Sequence, residues 1–513
     1  MKTPPRDLNR LTQIGDLANS VRQALRRFLL PITVLLGVET AVLGFSHSPG
    51  TIAFGLISLG SLVVFGIWMQ NGIGLPIVPV LSLQHLVAYG MPIVIGHEVI
   101  RDYPPEFLFR AGLEVLIFSC AIIGAWRLGM QLLQPSSALS YALQGFNRHG
   151  SEKLRRIGFT LISVATGYTL LQCTNLLNPV FALLPSGTGS LIVALMAAVA
   201  ACGFFIVAMF EGTRALALPA RTFFWVLLVA NCVLTAAGYL LSPATTVVIS
   251  VLIGLFWGSG RLPWRYLTVV MLVLSFFNAG KYTMRDRYWY RSESDPTPQV
   301  MLAQMPASYV EWIEASFQTL AGKNERVGSL TDKKATDKGL SLFERINNLQ
   351  NLLFVINATE TWHIEPLGGK TYTLIPPLLL PRILWPDKPR THEGQVMLNV
   401  HFGRQDLNST YQTYVAWGLL PEAYGNFGAN TGSLLLGLSL GFFFAWLENF
   451  TARKLLLSLE GLISFTILLG MANSYEMVAS VLVTTLFQGV LVLILASAPF
   501  VERIAPPPSP PAA

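Results

Sequence analysis

Long apolar runs recur along almost the whole chain, and they constrain its fold more than any other feature. A helix needs about 20 apolar residues to cross a bilayer. The sequence predicts about twelve such spans, near residues 28–45, 52–69, 77–95, 107–133, 157–184, 191–210, 223–241, 245–257, 266–279, 428–447, 455–472 and 477–498. Only 12% of the 513 residues are charged, too few to cover a water-soluble globule of this size. The predicted fold class is therefore an all-α polytopic membrane protein.

Basic residues in the short connections predict the orientation of these spans. With a cytoplasmic N-terminus, the basic groups within 148–156, 214–221, 261–265 and 453–454 all lie in inner connections. The short outer connections hold only Arg101 and Arg110. The positive-inside rule then places both termini in the cytoplasm. Because topology explains the basic residues, no nucleic-acid partner is expected.

Five segments follow from this topology. Residues 1–27 form a basic amphipathic segment that is expected to lie on the cytoplasmic leaflet. Residues 28–280 form an N-terminal membrane bundle of about nine spans, and residues 424–500 form a C-terminal bundle of about three. Between them lies an extracytoplasmic loop domain, residues 281–423, and residues 501–513 form a Pro-rich cytoplasmic tail.

The long loop is the expected functional region, because a loop of this length without structure or function is uncommon. We expect it to be mostly helical. Leu342, Ile346, Leu349 and Leu353 recur at helical spacing and predict an amphipathic helix over residues 341–356. Residues 324–339 are polar and rich in Lys and Asp, so they predict a mobile excursion.

A proline-rich basic segment in this loop is a candidate ligand site. In residues 378–390, LLLPRILWPDKPR, a proline fixes the backbone beside each of Arg382, Lys388 and Arg390. Arginine binds phosphate oxygens bidentately and lysine adds a point charge, so the segment suits an anionic ligand at the membrane surface. Basic and aromatic residues at such a position can equally serve only as an interfacial anchor.

A second polar cluster extends from His392 through Glu393 and Arg404 to Glu422. Its carboxylates and imidazole are candidates for a general base. The glycines of the following stretch, residues 421–432, are expected to serve helix packing. The histidines show no HExxH motif, and no Cys or His spacing indicates a zinc site.

Charged residues inside predicted spans are costly in hydrocarbon and are expected to face the bundle interior. They are Glu39, Glu98, Glu114, Arg127 and Glu460. Arg110 and Glu114 are four residues apart on one helix, so they are expected to pair with each other. Glu39 and Glu460 lack a local partner and could line a polar path or form a hydrogen bond between helices.

Several motifs resemble those of the bacterial polysaccharide repeat-unit polymerases, the Wzy-type group of O-antigen and exopolysaccharide polymerases. The strongest is PRILWPDKP at residues 381–389. RINN at 345–348, GGKTY at 368–372 and EAYGNFG at 422–428 are also similar, so that the resemblance covers about 85 residues. The rest of the chain is similar only in hydropathy.

The resemblance implies a metal-independent glycosyltransferase of the bacterial inner membrane. It would join polyprenyl-diphosphate-linked repeat units at the periplasmic face, with a glycosyltransferase-C-like plan by analogy. The implied diphosphate-binding residues are Arg382, Lys388, Arg390, Arg345 and Arg404. The implied base is Glu422, with His392 and Glu393 as the other candidates. No cofactor is expected; the expected partners are the lipid-linked glycan, membrane lipid, a chain-length regulator and a flippase.

Three other functions remain open from the sequence. An O-antigen ligase would use the same donor but pass the glycan to another acceptor. A transporter or flippase would move a lipid-linked oligosaccharide past the intramembrane acids, although the sequence shows no inverted repeat of the kind found in many transporters. A noncatalytic partner in an envelope complex would also explain a large outer loop.

Overall fold

The computed structural model describes residues 13–136, 139–143, 146–174, 176–184, 188–288, 304–321, 347–380, 385, 387–412, 415–455, 458–472, 474–497 and 501–504. This part of the chain is almost entirely helical. It divides into two compact units. Unit A contains residues 145–345 together with residues 1–10, and unit B contains residues 11–144 and 346–513.

The first half of the chain forms long helices joined by short ones. In chain order these are α1 (Ile14–Phe45), α2 (Thr51–Asn71), α3 (Ile77–His85), a π-helix (Leu86–Gly90), α4 (Met91–Val94), α5 (Glu98–Arg101), α6 (Pro105–Leu132), strand β1 (Ser140–Leu143), α7 (Phe146–Cys173), α8 (Asn178–Ala182), α9 (Thr188–Gly212), α10 (Leu218–Ala236), α11 (Leu241–Ser259) and α12 (Trp264–Tyr288).

The second half combines short helices of the long loop with the last membrane-length helices. They are α13 (Met305–Leu320), α14 (Leu349–Glu360), a 3-10 turn (Tyr372–Leu374), α15 (Ile375–Leu379), α16 (Glu393–His401), α17 (Leu407–Gln412), α18 (Leu419–Phe427), α19 (Thr431–Thr451), α20 (Leu459–Ala472), a 3-10 turn (Ser474–Glu476), α21 (Ala479–Ser497) and β2 (Val501–Ile504). Strand β2 pairs antiparallel with β1, Ser140 opposite Ile504, so the predicted tail begins with a strand.

Nine helices in the described residues are long and apolar enough to cross a membrane, which confirms the helical polytopic class. Two shorter apolar helices, Leu459–Ala472 and Ala479–Leu491, fall where the sequence predicts the last two spans. The prediction of one continuous span over residues 157–184 is wrong, because α7 ends at Cys173 and α8 starts only at Asn178. Pro179 lies in the first turn of α8, where a helix does not need the N–H that proline lacks, so it suits the start of a new helix.

The N-terminal amphipathic segment packs in part on unit B. Its residues 14–27 form the first part of α1, and Ile14 and Leu17 on its apolar face are buried. Its first turn is held by hydrogen bonds from Ile14 N to Lys454 O and from Gly15 N to Ala452 O, both 2.9 Å. Part of this apolar face is therefore covered by unit B, and the location of the segment on the inner leaflet stays a prediction.

The predicted loop domain is divided between the two units. Helix α13 belongs to unit A, where Trp312 Nε1 donates to Phe277 O of α12 at 2.8 Å. Residues 347–430, here called the lobe, belong to unit B. The helix expected over 341–356 begins at Leu349 in the described residues, and the excursion expected over 324–339 lies outside them.

Glycines allow close packing of the membrane helices in unit B. A Cβ atom at Gly441 of α19 would lie 2.4 Å from the carbonyl oxygen of Ile122 in α6, and one at Gly437 would lie 2.6 Å from Ala121 Cβ. Lipid is as apolar as the helices, so close packing replaces the hydrophobic drive for their association. A Cβ at Gly432 would lie 2.4 Å from Ala423 O. The expected packing role of this glycine is confirmed.

Unit A uses the same device between α9 and α11. A Cβ atom at Gly254 would lie 2.5 Å from Phe205 O, and one at Gly258 would lie 2.1 Å from Met209 O. At the end of α9, Glu211 forms an ion pair with Arg221 of α10, with an Oε2–Nε distance of 2.9 Å. Small residues and one ion pair thus join three consecutive helices of this unit.

Buried glutamates accept backbone N–H groups from other parts of unit B. Glu448 of α19 accepts hydrogen bonds from Ile73 N at 2.7 Å and Gly74 N at 2.8 Å, where the chain leaves α2. Its other oxygen accepts from Trp126 Nε1 at 2.7 Å. Glu460 of α20 accepts from Tyr141 N of β1 at 3.1 Å. The hydrogen bond expected of Glu460 thus goes to a strand rather than to another helix.

The expected pairing of Arg110 with Glu114 is wrong. Glu114 accepts hydrogen bonds from Asn430 N at 2.7 Å and from the Ser433 hydroxyl, at the start of α19. Arg110 instead pairs with Glu360 of the lobe. Both partners are distant in sequence, so helical spacing could not indicate them.

Two of the other intramembrane charges do not face the interior. Glu98 and Arg127 are exposed, which contradicts the expectation from the sequence. Arg127 lies near the end of α6, where a long side chain can reach the membrane interface. Glu39 is half-buried.

The α6–α19 contact provides a test of this packing. We expect Gly441→Ala to lower the stability of the folded protein by about 1–3 kcal/mol, the usual cost of overpacking, because the added methyl meets the Ile122 carbonyl. Gly124→Ala in α6 is the matched control, since a Cβ there has no neighbour within 4 Å. Thermal unfolding in detergent measures both; equal melting temperatures for the two variants would contradict the contact.

Candidate functional site

The lobe is anchored to the membrane helices of unit B at several points. Asn348 N donates to Ala88 O of the π-helix at 3.0 Å, and Glu360 at the end of α14 pairs with Arg110 in the first turns of α6. Within the lobe, Leu367 N donates to Gly425 O at 2.9 Å. The lobe is therefore held against the helix ends that the topology predicts to be extracytoplasmic.

Arg404 is the candidate cation with the most elaborate surroundings. Its Nη1 donates to Asn351 Oδ1 at 2.7 Å. The guanidinium carbon lies 5.4 Å from the ring centroid of Phe354 and 5.9 Å from that of Trp417. Burial lowers the pKa of Arg404 to about 10, and the nearby Tyr103 partly offsets this. At neutral pH the guanidinium is therefore charged and only partly hydrated, a state that strengthens its attraction for an anion.

A chain of amide side chains orients Arg404. Asn351 Nδ2 donates to Asn348 Oδ1 at 2.6 Å and to Trp417 O at 2.9 Å. Asn348 Nδ2 donates in turn to the hydroxyl of Tyr89 in the π-helix at 3.0 Å. The hydrogen bonds thus run from a membrane helix to the guanidinium. The sequence analysis missed Asn351; two asparagines three residues apart on one helix were the available signal.

Asn399 completes the surroundings of Arg404 from α16. Its backbone carbonyl accepts from Arg404 N at 2.8 Å, and its side-chain oxygen accepts from Trp417 Nε1 at 2.8 Å. Asn399 is fully buried. It fixes both the backbone of Arg404 and one of the two rings beside the guanidinium, and no sequence motif indicated it.

Glu422 is fully buried at the start of α18. Its carboxylate accepts from Thr371 Oγ1 at 2.7 Å and from Ala479 N, the first residue of α21, at 2.5 Å. Asn426 Nδ2 also donates to Thr371 Oγ1, at 2.9 Å. Burial raises the pKa of Glu422 to about 7, although the two hydrogen bonds act in the opposite direction. In this conformation both oxygens are occupied and the carboxylate has no exposed surface for an acceptor hydroxyl.

His392 and Glu393 lie at the start of α16, where the following residue, Gly394, is close to Thr371. A Cβ atom at Gly394 would lie 3.8 Å from Thr371 Cβ. His392 Nδ1 is 2.7 Å from Gln395 Oε1. Both His392 and Glu393 are half-buried, so they retain solvent access that Glu422 lacks. Thr371 thus lies near both Glu422 and Gly394, the residue that follows Glu393. The role of base stays a prediction for each of the three candidates.

The basic segment contains one buried and one exposed cation among the residues that the structure describes. Lys388 is buried, and its ammonium donates to Leu378 O at 2.8 Å and Leu380 O at 2.5 Å, at the end of α15. Carbonyls at a helix C-terminus attract cations. Arg390 is exposed. Arg390 is therefore accessible to an anionic ligand, whereas the Lys388 ammonium is occupied by backbone carbonyls in this conformation.

Two predicted diphosphate ligands, Arg345 and Arg382, lie outside the described residues. His401, a further histidine of the loop, has its Nε2 2.8 Å from Glu365 O, on the surface of the lobe. In the residues that the structure describes, no group of three His, Cys, Asp or Glu side chains is arranged to hold a metal ion.

Glu422 predicts a pH-dependent stability. Its folded-state pKa of about 7 lies above the ordinary value of 4.5, so the folded chain binds more protons between these values and stability falls as pH rises through them. Glu422→Gln keeps the shape and removes this dependence. We expect the melting temperature of the variant, relative to the original protein, to rise from pH 5 to pH 8.

Glu393→Gln, which alters a half-buried glutamate of the same lobe, is the control for that measurement. Thermal unfolding in detergent across this pH range measures the melting temperatures of both variants and of the original protein. A difference between Glu422→Gln and the original protein that stays constant with pH would mean that Glu422 keeps an ordinary pKa.

No protein-family model, no curated protein and no solved structure matches this chain. Its function must therefore be inferred from its own residues and geometry, with the short motifs of residues 345–428 as the resemblance that suggests a family.

Proposed function

We propose that this chain is a membrane glycosyltransferase that polymerises polyprenyl-diphosphate-linked oligosaccharide repeat units. The reaction takes place at the periplasmic face of the bacterial inner membrane, in O-antigen or exopolysaccharide biosynthesis. The motifs at residues 345–428 suggest the family. The lobe, anchored on the ends of membrane helices, is a suitable place for lipid-linked substrates.

The observation that supports the proposal most is the environment of Arg404. A charged guanidinium is held by Asn351 and flanked by Phe354 and Trp417. Such a cation, oriented in advance and partly removed from water, stabilises charge that develops on a leaving group. A polyprenyl diphosphate is an anionic leaving group. Arg404 is therefore our first candidate for diphosphate recognition, with Arg390, Arg382 and Arg345 as further ligands.

The chemical step is a substitution at the anomeric carbon of the donor. The acceptor hydroxyl oxygen forms the new glycosidic bond, and the bond from the anomeric carbon to the diphosphate oxygen breaks. The electron pair stays on the diphosphate, where cations balance it, and the hydroxyl proton passes to a base. His392 or Glu393 would take this proton directly, because each is half-buried. Glu422 would act by positioning Thr371 and the start of α21.

The finer architecture belongs to the same proposal. Twelve spans would comprise the nine long apolar helices, the shorter helices α20 and α21, and α7. Both termini would be cytoplasmic, and the plan would be glycosyltransferase-C-like. A polypeptide of this kind would work beside a flippase that supplies substrate and a regulator that sets chain length.

A transporter is less well supported by the geometry. Such a function would use intramembrane acids to line a polar path. Glu114, Glu448 and Glu460 instead accept hydrogen bonds from backbone N–H groups. Hydrogen bonding within the fold thus accounts for these buried carboxylates without a transported substrate.

Replacing Arg404 tests the proposal. In cells that lack the native gene, we expect Arg404→Ala to leave single lipid-linked repeat units and to slow extension about 100- to 1,000-fold, the usual cost of losing one such group. Arg404→Lys should extend glycan at a rate between those of Arg404→Ala and the original protein, because lysine keeps the charge but lacks the planar guanidinium. Glycan size on the carrier lipid is the measurement, and Arg101→Ala, at an exposed arginine of α5, is the control.

The accumulated product also discriminates between functions. Long chains that remain on the carrier in cells without the protein would indicate a ligase. Glycan of unchanged size in those cells would overturn the proposal. Normal chain length with Arg404→Ala, at normal protein level, would remove Arg404 from the site.

The basic segment gives a second, separable prediction. Arg390→Ala and Arg382→Ala should shorten the glycan at normal protein level, because these residues are proposed to contact the diphosphate. Lys388→Ala should also reduce the amount of folded protein, since it leaves the Leu378 and Leu380 carbonyls without their ammonium donor. Immunoblots and gel filtration measure the protein; a well-folded Lys388→Ala variant with short glycan would place Lys388 among the ligands instead.

A further inference from the structure

A cleft of about 690 Å³ lies beside the first turns of α6 in unit B. Its walls include Ile52 at the start of α2, Glu106, Phe109 and Arg110 on α6, and Asn430 before α19. The volume is within the range of roughly 300–1,000 Å³ that is typical of small-ligand sites. The residues that line this cleft have no role in the reaction proposed above.

One face of α6 supplies the main wall. Glu106, Phe109, Arg110 and Leu113 recur at spacings of three and four residues, so their side chains share that face. Phe109 is 44% exposed and Ile52 opposite is 64% exposed, which leaves the cleft open. Charged side chains beside hydrocarbon are costly, so this wall suits water or a polar ligand.

Two of the polar residues that line the cleft, Glu114 and Arg110, are held by contacts within the protein. The Glu114 carboxylate there is occupied by Asn430 N and the Ser433 hydroxyl. Arg110 is fixed by its ion pair with Glu360, whose Oε1 also lies 3.4 Å from the Tyr424 hydroxyl. The side chain of Arg110 is still 51% exposed, so part of the guanidinium remains open to a ligand.

The charges of the cleft argue against an anion. The one guanidinium, Arg110, has the carboxylates of Glu106 and Glu114 on the same helix and Glu360 beside it. A phosphate would meet more negative than positive charge. Neutral hydroxyl groups are not repelled by these carboxylates. A hydroxyl can donate a hydrogen bond to a carboxylate and accept one from a guanidinium.

We propose that this cleft binds the non-reducing terminal sugar of the acceptor glycan. Neighbouring hydroxyls donate to Glu106 and accept from Arg110 and Asn430, while the apolar C–H face of the sugar ring packs on Phe109. This end of the acceptor carries no diphosphate, which matches the charge of the cleft. The inference rests on the proposed function and separates an acceptor subsite here from the diphosphate subsite at Arg404.

Photo-crosslinking tests the occupant directly. A benzophenone amino acid at Ile52 should form an adduct with a saccharide in cells that make lipid-linked repeat units, and mass spectrometry should show its sugars. The same probe at Leu59, an exposed position on α2 that does not line the cleft, is the matched control and should capture phospholipid. Phospholipid alone at Ile52 would overturn the proposal.

Kinetics with lipid-linked repeat units extracted from the same cells give a second measurement. Glu106→Gln and Phe109→Ala should raise the KM for acceptor about tenfold or more, as expected for one lost contact to a charged or stacked group, with little change in kcat. An unchanged KM in both variants, at normal folding by gel filtration, would reject the subsite.

The outcomes distinguish this inference from the proposed function. If Arg404→Ala stops extension while Ile52 captures only phospholipid, the polymerase stands and the acceptor subsite is wrong. If Ile52 captures a saccharide while glycan length does not depend on the protein, the cleft binds sugar but the polymerase assignment is wrong.

Discussion

Backbone N–H groups that leave a helix inside a bilayer must find an acceptor in the protein, because lipid offers none. In unit B, carboxylates from other elements meet this requirement. Glu448 accepts both Ile73 N and Gly74 N between α2 and α3, and Glu114 accepts Asn430 N before α19. Both oxygens of each carboxylate accept hydrogen bonds, at a point where the chain enters or leaves a membrane helix. The positions of α2, α6 and α19 relative to one another depend on these contacts.

The candidate site follows from that framework. With the start of α19 held by Glu114, α18 and its Glu422 lie immediately before a fixed helix end. Glu422 then joins the Thr371 turn to the start of α21, in the same way that Glu114 serves α19. The lobe is thereby attached to the membrane helices by buried hydrogen bonds as well as by the Arg110–Glu360 ion pair. Ion pairs at the surface contribute little by themselves. A lobe attached in this way can hold Arg404 in one orientation.

The two proposed subsites differ in their local charge. Around Arg404, aromatic rings and amides surround a single cation. Around Arg110, carboxylates outnumber the cation. An enzyme that joins two lipid-linked glycans has to distinguish the diphosphate end of the donor from the sugar end of the acceptor. Opposite local charge would provide that distinction, and helix α14 supplies residues to both places through Asn351 and Glu360.

The sequence by itself determined the polytopic helical class and the approximate positions of the apolar helices, because hydropathy and length depend only on neighbouring residues. It also indicated Arg404 and Glu422 as polar residues of interest, but not their surroundings. Only the tertiary structure decided that Lys388 turns to the carbonyls of Leu378 and Leu380, that Arg110 pairs with Glu360 rather than Glu114, and that Asn351 orients Arg404. These partners lie on different elements, and Arg110 and Glu360 are 250 residues apart. No local periodicity in the sequence indicates which elements pack together. A buried charge pairs with a group that tertiary packing brings within hydrogen-bonding distance, so its partner depends on the fold.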